Sequence, residues 1–143
     1  MKKCRIFVVD DHSVVREGFI SLISENETYY VSGEAPNGEE ALTKIHAMEF
    51  KPEVVLMDVN MPVMDGIVCS KELLETYPDM RIVALTMVTQ IGHIRQMLEI
   101  GVKGYILKSG SRQELYDAID AVMRGEQFFS SEAGQIVMRD LVS

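Results

Sequence analysis

The sequence predicts an α/β protein in which a parallel β-sheet is covered by helices on both faces. Short apolar runs and amphipathic helical patterns alternate five times along the 143 residues, as expected for such a doubly wound sheet. The length fits one domain, and 47% hydrophobic and 25% charged residues are typical of a folded globular chain. We therefore expect one (βα)5 domain with a short appendage.

The first two βα units follow from apolar runs and helical spacing. A strand is predicted at Ile6–Val9, and a weaker strand pattern covers Tyr29–Ala35. Asn37 and Glu40 have the spacing of a capping box, which predicts the start of the second helix. The buried stripe predicted for the first helix comprises Val15, Phe19, Leu22 and Ile23.

The third strand, Val54–Met57, is a nearly continuous apolar run, which is typical of a central parallel strand. A helix is predicted from about Val68 to Thr76, and the fourth strand at Ile82–Leu85. The next helix should end at Gly101, because glycine adopts the left-handed conformation that terminates helices. The apolar stripe of that helix comprises Ile91, Ile94 and Leu98.

The fifth strand is predicted at Tyr105–Leu107, and Ser111 with Glu114 forms a second capping-box pattern before the last helix. We predict that the domain proper spans residues 1–125. Residues 126–143 carry apolar residues at loosely helical spacing and are predicted to form an extra helix or a linker.

Composition argues against several classes of function. The 22 acidic and 14 basic residues give a net charge of −8, which is the wrong sign for neutralising nucleic-acid phosphates. No apolar run approaches the roughly 20 residues of a membrane span, and the first residues lack the pattern of a signal peptide, so we expect a cytoplasmic protein without membrane contact. Cys4 and Cys69 have no cysteine or histidine neighbour at metal-ligand spacing.

Polar residues follow the predicted strands at the end of the sheet where ligands bind in this architecture. Three carboxylates, Asp10, Asp11 and Asp58, should meet there with Thr86 and Lys108. Crowded carboxylates resist ionisation unless a cation relieves their repulsion, and oxygen ligands suit Mg²⁺. The ammonium and the hydroxyl could both bond phosphate oxygens. The pattern therefore predicts a site for Mg²⁺ and a phosphoryl group.

Taken singly, each of these residues has an ordinary explanation. Asp10 and Asp11 could cap the first helix, and a lysine such as Lys108 is usually solvated after a strand. Their joint register at the strand ends favours the functional interpretation. We expect only surface or loop roles for the three histidines, which share no metal-ligand spacing: His12, His46 and His93.

These residues, and the local sequences at Val9–His12, Met61–Gly66 and Lys103–Lys108, resemble the receiver domain of bacterial two-component response regulators. The resemblance covers about Lys3–Gly125 and is strongest to the NarL/LuxR-type subclass. It implies a flavodoxin-like fold with strand order 2-1-3-4-5. Val102 departs from the subclass, which more often has alanine there; this affects packing rather than the site.

The resemblance implies a role for each carboxylate. Asp58 would accept the phosphoryl group. Asp10, Asp11 and Asp58 would hold Mg²⁺, together with the backbone carbonyl of Asn60.

It also implies a switch and partners. Thr86 and Lys108 match the hydroxyl and the lysine of the family, and Tyr105 matches its switch aromatic. The implied partners are a sensor histidine kinase and a helix-turn-helix DNA-binding output domain beyond this chain for transcription regulation. A homodimer with a second copy of the chain is a further partner that the resemblance allows. This chain alone is not expected to bind DNA.

Two other classes of function remain as alternatives. A haloacid-dehalogenase-like phosphatase also uses a strand-end aspartate, but it needs a carboxylate two residues later, where this chain has Asn60; an amide cannot transfer that proton. The second alternative is a flavodoxin-like binding module that is never phosphorylated. We favour a signalling switch that is not a turnover enzyme and catalyses only its own phosphorylation and dephosphorylation.

Overall fold

Six parallel strands form one sheet in the computed structural model, which describes residues 3–61, 63–87 and 92–142. The strand order is β2-β1-β3-β4-β5-β6. The elements are β1 Cys4–Val9, α1 Ser13–Ser24, β2 Tyr29–Ala35, α2 Gly38–Ala47, β3 Val54–Asp58, α3 Gly66–Thr76, β4 Arg81–Thr86, α4 Ile94–Ile100, β5 Gly104–Leu107, α5 Arg112–Met123, β6 Phe128–Phe129 and α6 Ser131–Val142.

The predicted flavodoxin-like order of the first five strands is confirmed, and β6 is added next to β5. Phe128 N–H donates to the Lys103 carbonyl at 2.9 Å, and Ser130 N–H donates to the Tyr105 carbonyl at 2.8 Å. Residues 126–142, which we call the tail, thus contain a short strand besides a helix. A strand of two residues has no periodicity, so the sequence pattern could not predict it.

The predicted helix caps explain where the helices begin and end. The Asn37 side chain accepts a hydrogen bond from Glu40 N–H at 2.9 Å, and Ser111 Oγ accepts one from Glu114 N–H at 3.1 Å. Gly101 ends α4 with a φ of 101°. The first residue predicted for the stripe of this helix, Ile91, lies outside the described residues.

Two apolar cores lie on opposite faces of the sheet because side chains alternate along each strand. Ile6 and Val8 of β1 face α1 and α5, whereas Phe7 and Val9 face the other core. That second core is covered by α2, α3, α4 and α6, with the fully buried Ala133 contributed by the tail. None of the helices in the described ranges combines the length and apolar character that crossing a bilayer requires.

Candidate functional site

The carboxyl ends of the parallel strands bring the predicted site residues to one end of the sheet. Asp58 is the last residue of β3, Thr86 is the last residue of β4, and Lys108 directly follows β5. Asp10 and Asp11 directly follow β1, which pairs with β3. We call Asp10, Asp11 and Asp58 the acidic cluster.

Lys108 joins two members of this cluster. Its Nζ lies 3.2 Å from Asp10 Oδ2 and 3.0 Å from Asp58 Oδ2. Both carboxylates are fully buried, so the ammonium interacts with them in a poorly solvated environment where charge interactions are strong. One positive charge therefore faces three carboxyl groups.

Several oxygens of the acidic cluster have no hydrogen-bond donor. Asp10 Oδ2, Asp11 Oδ1 and Asp58 Oδ2 are buried and accept no well-directed hydrogen bond from a described residue. Lys108 approaches two of these atoms closely, but this contact is electrostatic rather than a directed hydrogen bond. Unsatisfied buried oxygens are costly, and a bound cation would satisfy them.

The charge balance shifts the pKa values of Asp58 and Lys108. Burial is the main cause that raises the pKa of the Asp58 carboxyl to about 7; the neighbouring Asp11 and the charge of Asp10 contribute, and Lys108 opposes them. Burial by itself lowers the pKa of the Lys108 ammonium, but Asp58 and Asp10 more than offset it, so the pKa is raised. Asp58 therefore binds a proton far more readily than an ordinary aspartate.

The loop after β3 holds the Asp58 backbone in place. Asn60 is exposed, and its N–H donates to Asp58 Oδ1 at 3.2 Å. Gly66 N–H donates to the Val59 carbonyl at 2.8 Å. A Cβ on Gly66 would lie 2.1 Å from the Asp58 carbonyl oxygen, so only glycine permits this close approach.

Thr86 and Tyr105, the predicted switch residues, line a small cavity beside α4. The Thr86 hydroxyl donates to the Met87 carbonyl at 3.2 Å and makes no described contact with the acidic cluster. The cavity between Thr86 and Tyr105 has a volume of about 10 Å³ and is also bordered by Ile94 and Met97. A shift of one of these side chains would therefore affect the other.

Tyr105 is buried beneath the tail. Its ring stacks on Phe129, with centroids 5.0 Å apart and planes 4° apart, and its hydroxyl donates to the Val102 carbonyl. Burial raises the pKa of this hydroxyl. The structure thus places the ring inward, where it joins β5 to the tail.

His12 is a residue of this region that the sequence reasoning did not assign to the site. Its Nδ1 lies 3.1 Å from Asp11 Oδ1 and 3.5 Å from Asp10 Oδ1. With Asp10, Asp11 and Asp58 it forms a group of potential metal ligands whose ligand atoms all lie within 4.8 Å of one another. The signal in the sequence is its position directly after two acidic residues, since spacings between histidines and cysteines do not include it.

Known proteins match this chain over most of its length. The family model described as the response regulator receiver domain matches residues 6–120. The response regulator GacA of Pseudomonas viridiflava is 37% identical over 131 residues, covering 92% of this chain and 60% of the relative. The transcriptional regulatory protein YdfI of Bacillus subtilis (strain 168) is 40% identical over 121 residues, covering 85% of this chain and 55% of the relative.

A solved structure of a response regulator also has the same fold over nearly the whole chain. The crystal structure of a LuxR-family two-component response regulator from Aurantimonas sp. SI85-9A1 superimposes with a TM-score of 0.90 at 31% identity, covering 99% of this chain and 100% of the other. In contrast, the chain spans about 60% of the length of curated relatives such as GacA.

Proposed function

The chain belongs to the family of response regulator receiver domains, and from this premise we propose that it is a phosphorylation-activated signalling switch with Asp58 as the phosphoryl acceptor. The resemblance inferred from the sequence motifs is thereby confirmed at the level of the family. In this proposal the phosphoryl group comes from a phosphohistidine of a sensor histidine kinase or from a small phosphodonor. The chain catalyses only its own modification.

One observation carries the proposal: a fully buried carboxylate at the end of the central strand lies 3.0 Å from a lysine ammonium and beside two further carboxyl groups. The Asp58 oxygen nearest that ammonium, Oδ2, accepts no directed hydrogen bond from a described residue, so it stays open to a ligand. Such an arrangement is suited to a reaction in which charge arrives at that oxygen.

In the proposed transfer, an oxygen of Asp58 forms a bond to phosphorus. The phosphorus–nitrogen bond to the kinase histidine breaks, and its electron pair returns to the imidazole. Lys108 would hold a phosphoryl oxygen by a charge-assisted hydrogen bond. Asp58 must be ionised to attack, and a cation bound beside it would favour the ionised form against its raised pKa.

The residues present fit Mg²⁺. Three carboxyl groups with unsatisfied oxygens, together with the Asn60 carbonyl, are the hard oxygen ligands that this ion prefers. Asp10, Asp11, Asp58 and Asn60 would hold it. When bound, Mg²⁺ would offset the charge of the carboxylates and of the phosphoryl oxygens.

The proposed response begins at Thr86. Its hydroxyl now bonds only a neighbouring carbonyl, so it is available to turn toward a phosphoryl oxygen on Asp58. That movement would change the cavity shared with Tyr105 and, through the stacked Phe129, the position of the tail. A charge-assisted hydrogen bond is worth roughly 1.5–3 kcal/mol, which is enough to shift such an equilibrium about tenfold or more.

We assign residues 1–125 to the receiver and residues 126–143 to a segment that leads to an output domain. Two facts support this: the chain covers about 60% of GacA, and a relative of similar coverage is named a transcriptional regulatory protein. The output domain would be a DNA-binding helix-turn-helix, and the phosphorylated receiver would control it.

The test is the mass of the intact chain after incubation with acetyl phosphate and Mg²⁺. The parent and Asp65→Asn should each gain one phosphoryl group, whereas Asp58→Asn should gain none. Asp65 is a matched control because it is an exposed aspartate whose side chain caps α3, a role that asparagine can keep. Labelling of Asp58→Asn at the level of the parent would refute the assignment.

The switch has its own test in amide NMR spectra recorded with Mg²⁺ and beryllofluoride, a mimic of the phosphoryl group. Shifts should spread from Asp58 to Thr86, Tyr105 and Phe129, while α2 stays largely unchanged. Shifts confined to Asp58 and its neighbours, or equally present in Asp58→Ala, would exclude this relay.

A further inference from the structure

We propose that His12 is an additional ligand of the acidic cluster and gives it affinity for first-row transition ions such as Ni²⁺ and Zn²⁺, which compete there with Mg²⁺. This inference rests on the proposed function only in treating the acidic cluster as a cation site. It concerns which cations the site accepts.

The spacing of the ligand atoms fits one ion. His12 Nδ1 lies 3.1 Å from Asp11 Oδ1 and 3.5 Å from Asp10 Oδ1, and one ligand atom of Asp58 completes a set within 4.8 Å. Around an octahedral ion with bonds of about 2.1 Å, adjacent ligands are about 3.0 Å apart and opposite ligands about 4.2 Å apart. Shifts of a few tenths of an ångström would bring all four side chains onto one ion.

Some buried oxygens of the acidic cluster have no hydrogen-bond donor among the described residues, which is an independent sign of a ligand. Three buried oxygens accept no directed hydrogen bond from a described residue: Asp11 Oδ1, which faces His12, and the Oδ2 atoms of Asp10 and Asp58. Lys108 contacts these Oδ2 atoms, whereas His12 faces the Oδ1 atoms of Asp10 and Asp11. The ammonium therefore does not block the side from which the imidazole approaches.

The main chain holds His12 in place and leaves its ring available. His12 N–H donates to Asp10 Oδ1 at 2.9 Å, and the His12 carbonyl accepts from Arg16 N–H at 2.9 Å. The side chain is 62% exposed, and although His12 is the N-cap of α1, its ring makes no capping hydrogen bond. The imidazole can therefore turn onto an ion without disturbing the start of α1.

Ligand chemistry decides which ions gain from His12. Imidazole nitrogen favours Ni²⁺ and Zn²⁺, whereas Mg²⁺ prefers oxygen ligands and keeps much of its water. The two thiols do not compete for these ions at neutral pH, because burial raises the pKa of both Cys4 and Cys69 to about 12 and keeps them protonated.

The experiment is calorimetric titration of the 143-residue chain with Mg²⁺, Ni²⁺ or Zn²⁺ at pH 7.5, comparing the parent, His12→Gln and His93→Gln. His93 is a matched control because it is also an exposed N-cap histidine, at the start of α4. His12→Gln should weaken Ni²⁺ and Zn²⁺ binding at least about 10-fold and leave Mg²⁺ binding within about 2-fold. His93→Gln should leave all three affinities at the parent values.

A direct spectroscopic readout accompanies the titrations. In ¹⁵N spectra of the imidazoles, addition of Zn²⁺ should shift Nδ1 of His12 and not the nitrogens of His93. Unchanged Ni²⁺ and Zn²⁺ affinity in His12→Gln, or an equal loss of Mg²⁺ affinity, would overturn the inference. Phosphoryl labelling with Mg²⁺ is measured separately. If the chain is labelled but His12→Gln keeps the parent affinities for Ni²⁺ and Zn²⁺, only this inference is rejected. If His12→Gln weakens Ni²⁺ and Zn²⁺ binding but the parent is not labelled, only the proposed function is rejected.

Discussion

The amino end and the carboxyl end of the sheet each hold a lysine with a different set of partners. At the amino end, before β3, Lys51 Nζ donates to three backbone carbonyls at 2.5–2.9 Å, and Arg5 Nε donates to the Lys51 carbonyl at 2.9 Å. At the carboxyl end, Lys108 faces buried carboxylates whose oxygens are only partly satisfied. The three carbonyls bonded by Lys51 belong to Ile45, His46 and Met48.

This difference separates polar groups that stabilise the fold from polar groups kept for a ligand. The carbonyls at the end of α2 are neutral acceptors, and one ammonium completes their hydrogen bonding. The acidic cluster sets three carboxyl groups against the single ammonium of Lys108, which supports the proposed cation site at that end of the sheet. Substitutions at the two ends of the sheet test this contrast.

The largest effect should come from Gly66→Ala, which disturbs the backbone that carries Asp58. The added Cβ would meet the Asp58 carbonyl oxygen at 2.1 Å and Val59 Cα at 2.9 Å, so the main chain must move. We expect the free energy of unfolding to fall by about 3 kcal/mol or more in urea titrations.

Gly18→Ala is the control, because Gly18 is exposed on α1 and no described atom lies within 4 Å of its added Cβ. It should raise the free energy of unfolding by about 0.5–1 kcal/mol. Similar stabilities for Gly66→Ala and the parent would show that the loop after β3 does not fix the Asp58 backbone.

Exchange of each lysine for methionine compares the two ends directly. Lys108→Met leaves Asp10 and Asp58 without their cation, so we expect a loss of about 2–4 kcal/mol at pH 8 and a smaller loss at pH 5, where Asp58 is protonated. Lys51→Met should cost about 1–2 kcal/mol at both pH values, because its partners do not titrate. Urea titrations at the two pH values measure this, and an equal loss at both for Lys108→Met would contradict the contrast.

Asp58→Asn should alter the pH dependence of stability in the absence of metal. Because the pKa of Asp58 rises from 3.8 to about 7 on folding, the folded chain binds the proton more tightly, and the parent loses stability through this group as the pH rises from about 4 to 7. Asparagine does not titrate, so Asp58→Asn should exceed the parent by about 1–3 kcal/mol at pH 8 and by little near pH 4.

Urea unfolding in EDTA from pH 4 to 8 measures the difference in free energy of unfolding between Asp58→Asn and the parent. Asp65→Asn is the control, and its free energy of unfolding should follow that of the parent at each pH. Added Mg²⁺ should recover part of the stability of the parent at pH 8, since the ion binds only the folded state. A difference that stays constant from pH 4 to 8 would mean that Asp58 is not the group responsible.

The smallest effect is expected at Ser111, a polar residue near Lys108 that is satisfied locally. Its Oγ caps α5 by accepting from Glu114 N–H at 3.1 Å, so Ser111→Ala should cost about 1 kcal/mol at every pH, and Ser111→Asp should keep most of the stability. Thermal unfolding is a sufficient measurement. A strong pH dependence in Ser111→Ala would link the cap to the acidic cluster.

The sequence was informative wherever a buried strand stops at a polar residue. Such a stop places Asp58 and Lys108 at the same end of a parallel sheet, and the structure brings them within 3.0 Å. Their roles in phosphoryl transfer remain predictions. The fold and the family could be inferred because both depend on apolar periodicity and on short local motifs.

The contacts of the tail were beyond the reach of such patterns. β6 exists because Lys103 and Tyr105 offer free carbonyls to the tail, and nothing in the local sequence at Phe128 indicates that pairing. The stack of Tyr105 on Phe129 depends on the same pairing. His12 was missed because a single histidine after two aspartates is also an ordinary helix N-cap, which is the position it holds at the start of α1.

The short strand β6 also bears on the tendency of this protein to aggregate. Without it, β5 would be the outer strand on that side, and exposed strands with free N–H and C=O groups recruit other chains into aggregates. β6 has only two residues and leads at once into α6, so the edge that it presents is a poor template for a further strand. The tail therefore acts as a cover against aggregation, and a version cut after Gly125 would lose that cover together with the packing on Tyr105.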